Sequence, residues 1–222
     1  VNNEVRSFDD RLAIKAHGKL LLTAEYFVLD GALALALRTR PGQSMHISPD
    51  PSRDRRLHWR SLDHEGAVWF EAVFSPDDFR CDYVSDEAVA GRLIQLFRSV
   101  QARRPAFWQA FTGARVETRL EFPGEWGLGS SSTLVAALAR WTRTDPFQLL
   151  ADTFGGSGYD LACAFAEGPI LYQRKEEKGQ FVDFPFRPPF ADQLFFVYLG
   201  RKQDSREGIR RYREKAAAGQ VP

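Results

Sequence analysis

Four hydroxyl side chains in a row, Ser130, Ser131, Ser132 and Thr133, follow the stretch Pro123-Gly124-Glu125-Trp126-Gly127-Leu128-Gly129. Glycines let a backbone approach a ligand closely, and a helix beginning at the serines would present unpaired N–H groups to an anion. The hydroxyls can add hydrogen bonds to phosphate oxygens, or offer a hard oxygen donor to Mg2+. The stretch is therefore a phosphate cradle by its chemistry, although a serine-capped turn accounts for the same residues more plainly. It lacks the Gly-Lys-Ser/Thr ending of the common P-loop.

Two further constellations carry charge. In Gly155-Gly156-Ser157-Gly158-Tyr159-Asp160 the glycines allow a tight turn that aims a carboxylate, with helix N-capping by Asp160 as the simpler alternative. Upstream, Lys15-Ala16-His17-Gly18-Lys19 leads through Leu20-Leu21-Leu22-Thr23-Ala24 to Glu25 and then Tyr26-Phe27-Val28-Leu29-Asp30-Gly31. Lys19 alone would read as an exposed strand lysine.

The elements that must hold these groups are legible from periodicity. Ala114 to Phe122 alternates as a strand running into the glycine loop, and Ser132 to Trp141 reads as the helix leaving it. Leu12 to Ile14, Leu20 to Leu22, Tyr26 to Leu29 and Ala32 to Leu37 read as strands, with Asp30-Gly31 as a turn and Gln43 to Ser48 extended. Pro49 to Arg56 suits an exposed loop, followed by strands at His58 to Ser61 and Val68 to Phe74. Val89, Leu93, Leu96, Phe97 and Val100 recur at helical spacing between Asp86 and Arg103, and Arg103-Arg104-Pro105 ends that helix. Asp145-Pro146 opens a shorter helix. Strands are expected at Ile170 to Gln173, Phe181 to Phe184 and Leu194 to Leu199, a linker at Phe186 to Pro189, and a charged helix from Ser205 to Ala218.

Composition narrows the function classes. Thirty basic against twenty-nine acidic residues leave a net charge of +1, so no global field favours nucleic acid or an anionic membrane. Cys81 and Cys163 show no paired spacing, and His17, His46, His58 and His64 form no metal-ligand pair at helical spacing. Val1 to Arg11 has no apolar core of the secretory kind, and no apolar run nears the ~20 residues of a membrane helix. A cytoplasmic protein with no membrane or nucleic-acid partner is the expectation.

Pro123 with Gly127-Leu128-Gly129-Ser130-Ser131-Ser132 resembles the second, nucleotide-phosphate motif of the GHMP kinases, the group of galactokinase, homoserine kinase, mevalonate kinase and phosphomevalonate kinase. Lys15 to Gly31 resembles the first motif, with His17 where that family usually has Pro and Ala24 where it usually has Gly. Ser157-Gly158-Tyr159-Asp160 resembles the Ser-Gly-x-Asp segment that carries the catalytic aspartate of mevalonate kinase. Gly-Tyr-Asp-Leu-Ala is similar to the signature of a bacterial subgroup named for Gly-Tyr-Asp-Ile-Ala. The third GHMP motif, a glycine-rich loop, does not follow Asp160.

The resemblance implies an α+β fold: a ribosomal-protein-S5-domain-2-like N-terminal domain over 1–188, then the opening of a ferredoxin-like domain over 189–222 that is incomplete. It implies ATP as phosphoryl donor on Gly127, Leu128, Gly129, Ser130, Ser131 and Ser132, with Mg2+ on Ser131. Asp160 would take the acceptor's proton, and Lys19 would lie beside it and keep it ionised. Glu25, Ser157 and Gly158 would hold a small-molecule acceptor, with mevalonate or phosphomevalonate ahead of a sugar or homoserine. A non-catalytic metabolite-binding relative is the alternative, and a homodimer is allowed. Leu134 to Phe154 lacks the glutamate that also binds Mg2+ in mevalonate kinase, leaving Asp145 and Asp152 as the carboxylates there. Asp204-Ser205-Arg206-Glu207 is a weaker acceptor candidate, explained as well by a helix cap.

Overall fold

The structure is a computed structural model that describes residues 11–52, 54–175, 178–200 and 205–220. Its strands are β1 (Leu12–Leu21), β2 (Ala34–Pro49), β3 (Leu57–Leu62), β4 (Val68–Phe74), β5 (Cys81–Val84), β6 (Ala114–Leu120), β7 (Ile170–Lys175) and β8 (Lys178–Asp183). The helices are α1 (Glu87–Arg103), α2 (Pro105–Gln109), α3 (Ser130–Thr142), α4 (Pro146–Thr153), α5 (Tyr159–Phe165) and α6 (Ser205–Ala217). The strands form one eight-stranded mixed sheet, ordered β5-β4-β3-β6-β2-β7-β8, with β1 also on β2. The β3–β6 pair is parallel and the other pairs are antiparallel.

Alternation along the strands decides which face is covered. Ile14, Ala16, Met45, Ile47, Leu57, Trp59, Phe70, Phe74, Ala114 and Val116 point to one side and are buried there under α1, α3, α4 and α5. His46, Arg60 and Arg115 point to the other side, which stays in water. Helix α1 presents Leu93, Leu96, Phe97 and Val100 to the sheet, and Asp86 caps it by accepting from the N–H groups of Ala88 and Val89. A hub of rings fixes that corner: Phe97 lies 5.4 Å from Trp108 and 5.3 Å from Phe74, both edge-on.

The long strand β2 works as the spine, bonding to β7 at its start and β6 at its end while β1 runs along it. Gly42 is where β1 and β2 come closest: a Cβ there would lie 2.1 Å from the Ala16 carbonyl oxygen. Only glycine fits.

Several local expectations are corrected or extended. Tyr26 to Leu29 is not a strand; Phe27–Asp30 is a 3₁₀ turn. Ala24 (φ +63°), Tyr26 (φ +64°) and Gly31 (φ +89°) are left-handed, so the chain keeps reversing and no ladder can form. Leu194 to Leu199 is irregular and exposed throughout rather than a strand. Past Arg104 the chain restarts as α2 with Pro105 in its first turn, so the proline opens a helix as well as closing one. Ala34 to Leu37 and Gln43 to Ser48 belong to the single strand β2, with Ala32 and Leu33 before its start, and β5 was not anticipated. Among the described residues, no helix is long and apolar enough to cross a membrane.

Candidate active site

The three constellations meet at one point. Strand β1 carries Lys19 past an irregularity in its register between His17 and Lys19, and the Lys19 N–H donates to the Leu128 carbonyl at 3.0 Å. That bond stitches the first constellation to the glycine loop. Gly129 follows, with φ +90°, and a Cβ on it would lie 3.2 Å from Lys19 Cγ and 3.8 Å from Asp160 Cβ. Lysine and carboxylate thus flank the same glycine, which has to be glycine both for its left-handed backbone and for the space.

The loop reaches this point through a 3₁₀ turn at Gly124–Trp126 that ends on Gly127 in the left-handed region. Leu128 turns inward against Leu120 and Phe122, which pins the loop to the end of β6. Gly129 is the N-cap of α3 and no side chain caps that end. The first N–H groups of α3 therefore remain available to an anion, in a turn carrying half-buried Ser130 and exposed Ser131. Ser132 and Thr133 are buried, and Thr133 Oγ1 lies 2.7 Å from Gln43 Oε1 and 2.8 Å from the Ser130 carbonyl. Of the four hydroxyls, Thr133 is spent on holding the helix to β2.

Asp160 lies in the first turn of α5, half-buried, and the N-cap of that helix is Gly158. Asp160 is therefore not the cap of that helix, and its carboxylate is not spent there. Its charge is felt by its neighbours. Burial first, and then Asp160, pushes the Cys163 thiol up to about 12, while Lys19 acts in the opposite sense. Burial, Asp160 and Glu25, in that order, raise the Tyr159 phenol far above the ordinary tyrosine range.

Lys19 lies at the same glycine as Asp160, as expected, but without an ion pair to it. Its Nζ donates to the Tyr159 hydroxyl at 2.8 Å and lies 5.1 Å from the centre of that ring. No ion pair joins Lys19 to Asp160 among the described residues. Ser157 and Gly158 form the turn before Asp160, where the Ser157 carbonyl accepts from the Tyr172 hydroxyl of β7 and Gly158 is buried as the helix cap. Glu25 is exposed between the left-handed Ala24 and Tyr26. An alanine in that conformation is strained by roughly 1 kcal/mol, which is why glycine suits position 24.

The donor set for a metal is thin. Ser131 is exposed at the start of α3, where an oxygen ligand would meet loop-bound phosphates. Asp145 caps α4 through the N–H groups of Phe147 and Gln148. Asp152 accepts from Arg103 Nε and Nη2, each at 2.8 Å, and from the Ser99 hydroxyl at 2.5 Å. Asp152 is thus engaged through both oxygens, and Asp145 through Oδ1. In the weaker stretch, Asp204 lies outside the described residues, and Glu207 is engaged by Arg210 and Arg211.

Sequence reasoning did not single out Tyr159 or Tyr172. Tyr159 stood inside the quoted stretch as the variable residue before Asp160. Its contact with Lys19, 140 residues away, exists only once β1 and α5 pack together.

No family model and no curated protein sequence matches the chain. Solved structures do. Mevalonate kinase of L. major in complex with R-mevalonate superimposes with a TM-score of 0.52 at 19% identity, over 78% of this chain and 52% of that one. Phosphomevalonate kinase of Streptococcus pneumoniae in complex with phosphomevalonate and AMPPNP gives 0.53 at 20%, over 75% and 50%. A D-glycero-D-manno-heptose 1-phosphate kinase of Bacteroides thetaiotaomicron gives 0.56 at 16%, over 83% and 62%. These neighbours are kinases of the GHMP group. The α+β fold with its mixed sheet matches theirs, and the chain spans about half to three-fifths of their length.

Proposed function

We propose that the chain carries the nucleotide-phosphate and acceptor-activating site of an ATP-dependent small-molecule kinase. Residues 1–188 would hold that site and 189–222 would open a second unit. The observation that carries the reading is the convergence at Gly129, where Lys19 and Asp160 face the open end of α3.

Phosphoryl transfer needs positioning and charge neutralisation more than covalent work by the protein. Gly127, Leu128 and Gly129 let the backbone close on the phosphates of ATP, and the α3 N-terminus with Ser130 and Ser131 supplies donors. Buried Ser132 supports that turn from within. Mg2+, if held by the Ser131 hydroxyl, would neutralise phosphate charge. Asp160 takes the proton of the acceptor hydroxyl or holds it in line. Lys19 places a positive charge where negative charge accumulates. Glu25 and the Ser157-Gly158 turn would shape the acceptor's seat.

Mevalonate or phosphomevalonate is the first choice of acceptor. What supports it is the Ser-Gly-x-Asp wording around Asp160, together with mevalonate and phosphomevalonate kinases among the fold neighbours. A heptose phosphate or galactose belongs in the same trial because kinases for those sugars share the fold. The test measures transfer from radiolabelled ATP to this panel, with AMPPNP affinity followed separately. Asp160→Asn is expected to lower turnover by roughly 10² to 10⁴ while leaving AMPPNP binding nearly unchanged. Binding of AMPPNP with no transfer to any acceptor would make the chain a nucleotide-binding relative without turnover. Unchanged turnover in Asp160→Asn would remove that residue from the mechanism.

A further inference from the structure

We infer that Tyr159 is a positioning residue for Lys19, whose hydroxyl holds the ammonium beside Asp160 without neutralising it; this rests on the kinase reading above.

Lysine is a point charge on a flexible stem, and roughly 2 kcal/mol of rotamer entropy opposes holding it in one place. Asp160 flanks the same glycine as Lys19, and an ion pair with it would be the obvious anchor. That anchor would work against the reaction. It would occupy the carboxylate oxygens needed for the acceptor's proton and cancel the charge needed by the transferred group. The structure uses a neutral oxygen instead, with Lys19 Nζ 2.8 Å from Tyr159 Oη. A phenol accepts a hydrogen bond from an ammonium yet leaves the net positive charge in place.

Two features make the phenol a dependable anchor. Its ring is buried in the small cluster formed by Val28, Ala34, Ala36, Ala162, Cys163 and Tyr172, and it meets the Tyr172 ring near-perpendicular at 6.5 Å between centroids. Tyr172 in turn donates to the Ser157 carbonyl, so ring, turn and lysine form one connected support. Burial and the nearby Asp160 and Glu25 carboxylates also keep the phenol protonated. Adjacent residues leave a helix in different directions, so Tyr159 can face β1 while Asp160 faces the open site.

The test is a double-mutant cycle on the full chain with Tyr159→Phe, Lys19→Met and the pair. Tyr159→Phe keeps the ring and its packing and removes only the oxygen. Its turnover with the best acceptor of the panel is expected to fall about tenfold, the scale of one hydrogen bond to a charged group, with the KM for ATP unchanged. If Tyr159 acts through Lys19, the pair loses no more than Lys19→Met alone. A second readout needs no turnover. Limiting acetic anhydride, followed by mass spectrometry, should label Lys19 at least threefold faster in Tyr159→Phe than in the parent, with Lys15 as internal standard. Unchanged turnover in Tyr159→Phe, additive losses in the pair, or equal labelling of Lys19 would each overturn the inference while leaving the kinase reading intact. A parent protein that phosphorylates nothing in the panel overturns the kinase reading and this inference with it. Should Tyr159→Phe fail to fold, Tyr159→Leu, which also removes the hydroxyl and stays apolar, takes its place on the same criteria.

Discussion

Strand β4, Val-Trp-Phe-Glu-Ala-Val-Phe from Val68 to Phe74, and the run Leu-Phe-Phe-Val-Tyr-Leu from Leu194 to Leu199 carry similar apolar and aromatic weight. They end differently. Strand β4 is paired on both sides, by β3 and β5, and its Phe70, Ala72 and Phe74 are completely or almost completely buried. In the second run every residue is exposed, with Phe195 at 82% and Leu199 at 84%. Among the described residues, its ring contact is Phe196 on Trp126, at 5.9 Å between centroids. Strand propensity is therefore permission, not instruction. A β-rich run becomes a strand when neighbours accept its N–H and C=O groups and a face of other side chains covers its own.

If the paired sheet is what stabilises this molecule, damage to its spine should have the largest effect. Gly42→Ala would place a methyl group 2.1 Å from the Ala16 carbonyl oxygen, which forces β1 and β2 apart. A loss of about 3 kcal/mol or more is expected from urea unfolding monitored by tryptophan fluorescence. A loss below 1 kcal/mol would mean that β1 is loosely held, and with it the placement of Lys19.

Next in size is the glycine that joins the site. Gly129→Val must keep φ +90° with a branched side chain and press on Lys19 Cγ, 3.2 Å from the position of its Cβ. Stability should drop by roughly 1–3 kcal/mol, and AMPPNP affinity by at least about tenfold, because the loop can no longer approach the phosphates. Isothermal titration gives the affinity, and a wild-type value would reduce the loop to a structural turn.

These glycines show what the sequence could reveal. The glycine loop, the following helix, and the order of the three constellations were readable because close approach and left-handed backbone restrict residue choice locally. Ala24 was legible as a departure, and its φ of +63° gives the physical reason. The sheet's spine was read in two pieces, a strand at Ala32 to Leu37 and an extended stretch at Gln43 to Ser48, on either side of Pro41-Gly42. In fact β2 runs through it, held by β1 and β6. The anchoring of Lys19 on Tyr159, the commitment of Asp152 to Arg103, and the exposure of Leu194 to Leu199 all depend on partners distant in sequence or missing among the described residues. No local pattern encodes them.

A smaller effect is expected from pH at the start of the first constellation. Arg38 donates to His17 Nε2 at 2.6 Å, and His17 Nδ1 lies 3.1 Å from the Thr39 carbonyl and 3.2 Å from that of Arg40. That pattern requires a neutral imidazole with its proton on Nδ1. Burial, then the Arg38 charge, with a further contribution from Lys15, lowers the pKa below the usual 6.5, while the two carbonyls oppose the shift. The nearby carboxylate Glu121 is tied to Lys15 at 2.8 Å. A lowered pKa means that the unfolded chain takes the proton first. The contribution is complete above about pH 6.5 and is lost as pH falls below it toward the lowered value. The stability difference between the parent and His17→Gln should therefore shrink between pH 7.5 and 5.5. A difference that stays constant over that range would show that His17 is not held neutral.

The smallest effect is expected where apolar content is high and packing is missing. Phe195→Ser with Leu199→Ser removes two large apolar side chains, and in a core such changes cost several kcal/mol each, through lost transfer energy and the cavity left behind. Here neither residue has a covering neighbour, so the folded state loses almost nothing and the unfolding midpoint should shift by less than the equivalent of about 0.5 kcal/mol. What should change is behaviour between molecules. A run of six exposed apolar residues with no charge or proline is a ready site for intermolecular pairing, and the serines interrupt it. Light scattering at increasing protein concentration should show less self-association in the double variant. The paired substitution at Phe70 and Phe74 provides the contrast, because the same chemistry in β4 should unfold the protein. If the 195/199 variant instead loses 2 kcal/mol or more, the run is packed in solution and its likeness to β4 is greater than the exposures indicate.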